Sequence, residues 1–406
     1  MANPPQRPAI SLAVRVNLQS VDATLRPTPP QALDVLSNFR GTFIGNGFNT
    51  IWRPSSGSNT FPNPVPAGGN NKPDPVFPNE SILELNLTTE EMTFTDNLGS
   101  IPNRGLKEQK DLILSGVSYL QVVRDVTNPK SGRADDTPRD IHFEPGLWIK
   151  VPADNNNAES LARMASIPHG TTINAQCLAP TTRIQNGNPA VNDIVDITPF
   201  PIARPNGRLN NQFPAMNVTN MNTSRLPQDL NPFVTNGTIT QAILNNPNTV
   251  LVNANRGKTI VSMVTFEVST APSSAKQSDS DGISNIAFLE GKSLGPTSRS
   301  TAVQNADAAL MTARFWISDV QCDIVVPPFR AGENIRIQPN NDVADPRPTF
   351  TVDTSISNAD ARTIQATFKQ IQYSQVVNLD FDGLTWPHVS VATLVPAEDI
   401  LISLLH

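Results

Sequence analysis

The chain is divided into short segments of alternating apolar and polar residues, each bounded by clusters of proline, glycine or asparagine. Alternation with period two places successive side chains on opposite faces of a strand, and such clusters end strands in turns. The series predicts an all-β fold, an antiparallel closed β-barrel with long Pro/Asn-rich loop insertions. The segments with this character are 82–94, 112–126, 141–151, 161–175, 259–269, 283–289, 309–326, 363–381 and 389–395.

The first strong strand begins at Phe39 and carries Gly41, Gly45 and Gly47 between larger apolar residues. Glycines at these intervals allow the sharp bend that a strand makes at a barrel corner. We therefore predict that this strand and the C-terminal strands close together around an apolar interior. The barrel is predicted to be a single domain over residues 31–396.

Three regions stand apart from the strand series. Residues 178–255 are rich in proline and asparagine, which predicts a linker or an insertion into the barrel domain. The C-terminal tail, 397–406, has apolar residues at helix-like spacing, and we expect it to dock within the chain or on another subunit. The arm at residues 1–30 is expected on the outside of the body or on a neighbouring subunit, where its exchange would give a homo-oligomer. Its alternating apolar residues are Ile10, Leu12, Val14, Val16 and Leu18.

Composition argues against several classes of partner. The 30 basic and 36 acidic residues give a formal charge of −6 without any basic run, so nucleic acid is not predicted to bind. The sequence contains no stretch of 18 apolar residues, so no membrane-spanning helix is predicted. Residues 1–9 lack the apolar core of a secretory signal. Cys177 and Cys322 are expected to be free thiols in a reducing compartment, which favours a cytoplasmic location.

The four histidines, His142, His169, His388 and His406, are the scarcest candidates for chemistry. His142 has acidic neighbours, but no nucleophile elbow or HExxH spacing accompanies it. His388 shares a strand face with Ser390 and with two further small or apolar residues. If that face points inward, the small neighbours leave room for a flat ligand beside the imidazole. If it points outward, His388 is a polar side chain at the solvent surface of the last strand.

The four tryptophans each lie on or beside a predicted strand. Packing in the core or at the barrel mouth explains most of them. Together with nearby phenylalanines such as Phe43 they could also wall an apolar pocket, because ligand sites are mostly apolar with a few polar anchors. The tryptophans are Trp52, Trp148, Trp316 and Trp386.

Three stretches resemble the nitrobindins, ten-stranded haem-binding barrels of the calycin type. Residues 40–47 are similar to the family's glycine-rich opening strand, with Phe43 where the family usually carries tryptophan. Residues 142–150, HFEPGLWIK, are similar to its mid-barrel strand, and 388–391, HVSV, to its last strand. The matches lie at both ends and in the middle of the chain, in the family's order. The chain is more than twice the family's usual length, and 178–255 and 329–349 have no counterpart there.

The resemblance implies a haem b site with His388 as the iron ligand. It implies cofactor contacts from Trp386, Trp148 and Phe43, and from His142 at the barrel mouth or on a propionate. His169 is expected in an exposed turn.

The activity implied is the binding or isomerisation of small oxidants such as nitric oxide or peroxynitrite. An enzyme of this kind would be peroxynitrite isomerase-like or weakly peroxidase-like. Two alternatives remain open: a lipocalin-like carrier of another hydrophobic molecule, and a structural, self-assembling protein.

Overall fold

The structure is a computed structural model, and it confirms the all-β prediction. It describes residues 32–53, 81–105, 110–154, 158–168, 170–177, 193–202, 213–221, 223–271, 282–285, 306–381 and 384–404. The predicted arm, His169 and His406 lie outside this part of the chain. The strands are β1 (Gly41–Arg53), β2 (Ile82–Phe94), β3 (Ile101–Asn103), β4 (Leu112–Asn128), β5 (Arg133–Val151), β6 (Ser160–Ile167), β7 (Thr171–Cys177), β8 (Phe200–Pro201), β9 (Arg225–Leu226), β10 (Thr259–Ser269), β11 (Ile283–Asn285), β12 (Asp307–Val326), β13 (Arg336–Ile337), β14 (Phe350–Val352), β15 (Arg362–Phe381), β16 (Leu384–Pro396) and β17 (Ile400–Ile402).

Ten of these strands form a closed antiparallel barrel. Their order is β4-β5-β6-β7-β10-β12-β15-β16-β1-β2, and pairing of β2 with β4 closes the ring. The predicted meeting of the first and last barrel strands is confirmed, because β1 pairs with β16 from Phe43–Pro396 to Thr50–Val389. The barrel thus joins neighbouring strands that are more than 300 residues apart in the chain, as their residue numbers show.

The barrel interior is packed with side chains from all ten strands. One end is filled by rings in direct contact: Phe39 stacks on Phe94 with centroids 4.6 Å apart, and Trp148 meets Phe315 edge-on at 5.2 Å. Aromatic pairs of this geometry add to the stability that their apolar burial supplies. We call this group the aromatic cluster; its members are Phe39, Phe43, Phe94, Trp148, Phe266 and Phe315.

The described part of the predicted insertion covers the outside of the barrel, and its Phe213 also contacts Trp386 near the end of the barrel, with ring centroids 5.8 Å apart. It carries three short helices, α1 (Asn231–Asn236), α2 (Gln241–Asn245) and α3 (Thr249–Asn253). Their apolar side chains form a second core with outward-facing residues of β1, β2 and β16, so the insertion adds a layer to the barrel. The second core includes Phe48, Trp52, Leu83, Leu85, Val389 and Val391 from the barrel, and Leu230, Phe233, Ile243, Leu244 and Leu251 from the insertion.

Two local expectations from the sequence are corrected. The segment 161–175 is not one strand but the hairpin β6–β7, which turns at Gly170, whose φ is 111°. The helix-like tail is instead the strand β17, which pairs in parallel with β14 in a small sheet with β13. The tail is docked, because Ile400 and Ile402 pack on the core between this sheet and the barrel. An available strand edge outweighs a weak helical preference in so short a segment.

Gly45 is required where β1 lies close to β16. A Cβ added at this position would lie 1.9 Å from the carbonyl oxygen of Thr393, so the backbones would have to separate. We expect Gly45→Ala to lower the free energy of unfolding by about 1–3 kcal/mol, the usual cost of overpacking. Urea denaturation measures this. Asn46→Ala, at the exposed neighbouring position, should change stability by less than ~0.5 kcal/mol; equal losses in both variants would contradict the explanation.

Candidate functional site

His388 lies on the interior face of β16. Ala392 and Leu394, which share its face by alternation, are fully buried members of the interior core. Val377, directly opposite His388 on β15, packs against the same core. The imidazole is half-buried. Of the two orientations that the sequence left open, the structure therefore shows the inward one.

A short amide network holds the His388 ring. The Asn49 side-chain nitrogen lies 2.8 Å from Nε2 of His388 and donates to the Ser390 hydroxyl, also at 2.8 Å. Asn86 donates to the Asn49 carbonyl oxygen at 3.4 Å. Because an amide nitrogen only donates, Nε2 accepts this bond, and a neutral ring then carries its proton on Nδ1. The network thus fixes both the ring orientation and its tautomer.

A layer of buried polar side chains crosses the barrel between His388 and the aromatic cluster. The register along β1 gives the order: Phe43 belongs to the aromatic cluster, Gly45 pairs with Glu90 of this layer, and Asn49 contacts His388. Hydrogen bonds connect the members across five strands. We call this group the polar layer; its members are Glu90, Tyr119, Gln121, Glu144, Arg163 and Tyr373.

Glu144 and Arg163 form a fully buried ion pair in the polar layer. Arg163 Nη2 donates to Glu144 Oε1 at 2.6 Å, and Tyr119 donates to the same oxygen while accepting from Arg163 Nε at 2.9 Å. Burial alone would raise the pKa of Glu144, but the Arg163 charge and the bonds from His142 and Tyr119 outweigh it and hold that pKa below its ordinary range. Glu144 is therefore ionised, and its charge is balanced inside the barrel.

Glu90 is the second buried carboxyl of the polar layer, and its environment raises its pKa, whereas the pKa of Glu144 is lowered. Its Oε2 accepts from the Tyr373 hydroxyl at 2.6 Å and from Gln121 at 3.2 Å. Burial raises the pKa of Glu90 from 4.5 to about 7, although these hydrogen bonds act to lower it. Because no cation forms an ion pair with it among the described residues, Glu90 keeps its proton over the acidic range.

Stability should consequently depend on pH through Glu90. Its pKa is higher in the folded protein, so the folded state binds this proton more tightly than the unfolded chain does. The contribution of Glu90 to the free energy of unfolding is fully present below pH 4.5 and is lost as the pH rises to about 7. As the pH rises from 5 to 8, we expect the free energy of unfolding of Glu90→Gln to increase relative to that of the parent by up to ~3 kcal/mol. Denaturant unfolding measures both free energies. A difference that stays constant with pH would refute this assignment.

The structure separates the site residues that the sequence predicts. Phe43 and Trp148 belong to the aromatic cluster, and Phe43 lies opposite Pro396, eight residues or about 26 Å along β16 from His388. Trp386 is close to His388 in the strand, but its ring stacks on Phe381 at 4.8 Å. His142 bonds to Glu144, with Nε2 and Oε2 3.0 Å apart, and its side chain is 20% exposed.

Sequence reasoning did not find the polar layer or Asn49. A usable signal existed, because Gln121, Glu144 and Arg163 each occupy an inward position in an alternating segment. Polar residues at such positions mark either the solvent face or a buried network, and alternation alone does not separate the two.

Among the described residues, no group of three or more His, Cys, Asp or Glu side chains could hold a metal ion. The surface clefts in this part of the chain include two near the barrel strands. One of about 380 Å³ lies beside β6, β7 and Gly282, and another of about 290 Å³ lies between β1, β2 and Arg347. His388 lines neither of them.

The fold and this inward-facing network define the chain as a closed, antiparallel β-barrel protein with a polar interior layer. No known protein-family model matches the sequence, and no curated protein matches it. Among solved structures, the crystal structure of Rv2717c from M. tuberculosis is similar, with a TM-score of 0.31 and 10% sequence identity. That alignment covers 90% of this chain and 97% of the other. No helix in the described ranges is long and apolar enough to cross a membrane.

Proposed function

We propose that the barrel binds haem b and that His388 supplies the protein ligand to its iron. The observation that carries this proposal is the half-buried imidazole on the interior face of the last barrel strand. A haem needs only one axial protein ligand, so a cluster of three metal ligands is not required. A bound haem would supply an iron centre that binds or isomerises small oxidants such as nitric oxide or peroxynitrite.

The donor chemistry at His388 fits this group. The ring is neutral when it accepts from Asn49, and its Nε2 lone pair is the atom that can bind iron. Asn49 must release Nε2 for that to happen, while Ser390 remains a second acceptor for the Asn49 amide. Val377 provides an apolar neighbour on the adjacent strand. These residues hold and orient the ligand atom.

The position of the polar layer restricts where a haem can lie. The aromatic cluster fills one end of the interior, and the Glu144–Arg163 ion pair lies between it and His388. A bound haem would therefore lie at the His388 end, on the side of the polar layer away from Phe43. Among the predicted cofactor contacts, this placement favours His142 over Phe43 and Trp148, whereas the Trp386 ring packs between Phe381 and Phe213 in the second core.

Asn49 offers a direct test, because it competes with iron for Nε2. We expect Asn49→Ala to tighten haem binding about five- to tenfold, the value of one hydrogen bond of ~1 kcal/mol. Titration of the full chain with haem, followed by the Soret band, measures both affinities. Asn46→Ala is the matched control on the exposed side of β1. Weaker binding by Asn49→Ala, or a parent protein without saturable Soret absorption, would count against the proposal.

A second candidate is a carrier of a neutral hydrophobic molecule. The contact between Asn49 and His388 favours it, since a polar pair at the end of an apolar interior can anchor a hydroxyl or carbonyl group. A carboxylate such as a fatty acid is disfavoured, because Glu144 already neutralises Arg163. Native mass spectrometry separates the candidates: a bound organic molecule without iron supports the carrier, and a haem mass supports the first proposal.

A cytoplasmic location belongs to the same proposal. Cys177 and Cys322 are both buried cysteines that form no disulfide within the described residues, which is typical of a protein in a reducing compartment.

A further inference from the structure

The outer face of β4, β5 and β6 carries a contiguous group of apolar side chains. They meet as directly opposed pairs across the strands. Leu120, Phe143 and Met164 are 37%, 47% and 42% exposed. Apolar surface gathered in this way usually marks an interaction site. We call this group the outer apolar patch; its members are Leu120, Val122, Phe143, Pro145, Leu147 and Met164.

The outer apolar patch is on the outside of the barrel because its members alternate with interior residues. Gln121, Glu144 and Arg163 of the polar layer are their neighbours in the chain. Elsewhere the described chain covers outward-facing apolar residues: the insertion packs over β1, β2 and β16, and the small sheet packs near the ends of β12 and β15. Within the described residues, no comparable layer is recorded over the outer apolar patch.

The described chain begins next to the C-terminal end of β5, against Lys150, whose side chain lies on the same face of the strand as Glu144. Lys150, on β5, donates to the carbonyl oxygen of Ala32 at 3.2 Å and forms an ion pair with Glu159 at 3.2 Å. Lys150 is three residues from Leu147 and seven from Phe143 on the same strand. At about 3.3 Å per residue, Leu147 and Phe143 lie roughly 10 and 23 Å along β5 from Lys150, with their side chains on the opposite face of the strand.

The sequence that precedes Ala32 contains a segment of matching chemistry. From Ile10 to Leu18, every second residue is a large aliphatic one, so an extended chain would present one apolar face. Residues 19–31 connect it to Ala32, and these thirteen residues can span up to about 45 Å. We infer that the segment Ile10–Leu18 packs its apolar face on the outer apolar patch of its own chain.

The short tether favours the chain's own segment over that of a second copy. A flexible connection of this length gives an effective concentration in the millimolar range, well above ordinary protein concentrations. The inference is independent of the haem proposal, because it concerns the outside of the barrel.

Photocrosslinking in the full chain tests this contact. p-Benzoylphenylalanine replaces Phe143, and the same group at Val325, a 41% exposed position on β12, is the control. We expect irradiation to join position 143 to a peptide from residues 8–26 within a monomer, and position 325 to give no such product. Replacing Leu12, Val14 and Val16 together with aspartate should abolish the product and leave the unfolding free energy of the barrel nearly unchanged.

Three outcomes would overturn the inference. The first is a product at twice the chain mass, which would assign the segment to a second copy. The second is a product joining position 143 to a different part of the chain. The third is an undiminished yield in the aspartate variant, since burial of the apolar face would then have no role in the contact.

Discussion

Arg163→Met is expected to lower the free energy of unfolding by about 3–5 kcal/mol, the usual cost of leaving one member of a buried ion pair uncompensated. Glu144 is completely buried and would lose the arginine countercharge that lies 2.6 Å from it. Tyr119 and Gln375 would lose donors as well, at 2.9 Å and 2.7 Å. Methionine fills a similar volume, so the decrease in the free energy of unfolding comes mainly from the missing charge. Urea denaturation at pH 7 measures it.

The double variant Glu144→Gln/Arg163→Met is the control for this experiment. It removes both charges, so we expect it to recover much of the stability that the single variant loses. The Arg163→Met deficit should also shrink as the pH falls below 4.5. The stability that the lowered pKa of Glu144 gives the parent is fully present above that value and is lost progressively as the pH falls below it. A deficit below ~1 kcal/mol at pH 7 would mean that the ion pair is not buried as described.

His388→Gly is expected to weaken haem binding by at least ~100-fold, because it removes the ligand itself rather than a supporting group. Haem titration followed by the Soret band measures the affinity. Added imidazole should restore the band by entering the vacated position, which a purely structural defect would not allow. The variant's unfolding free energy reports separately on the fold, and since the ring is half-buried we expect a change near 1 kcal/mol.

His142→Ala is the matched histidine control for that experiment. His142 bonds to Glu144 and would contact a haem propionate rather than the iron, so we expect its loss to weaken haem binding far less than the loss of His388 does. Equal effects of the two substitutions would show that His388 has no special role. A His388→Gly spectrum identical to that of the parent would remove His388 as the iron ligand.

The strands were the part of the fold that sequence could predict. Segments 82–94 and 259–269 agree with β2 and β10 residue for residue, because clear alternation ends at turn-forming residues in both. The pairing of the first and last barrel strands also followed from their glycine and alternation patterns. Local chemistry decides these features, so a single sequence contains enough information for them.

The polar layer could not be predicted in the same way. Glu90 bonds to Tyr373 across 283 positions of sequence, and Glu144 meets Arg163 only because the β5–β6 register aligns their strands. Register depends on pairing across the whole barrel, which alternation does not specify. The helices of the insertion were missed for a different reason: α2 and α3 have five residues each, too few to show a helical period.

The visible spectrum and iron content of the full chain purified from its natural source test the haem proposal most directly. The proposal predicts a Soret band and one iron per chain, with the band lost in His388→Gly prepared in the same way. Protein without iron or Soret absorption that carries another organic molecule would contradict it and would support the carrier function.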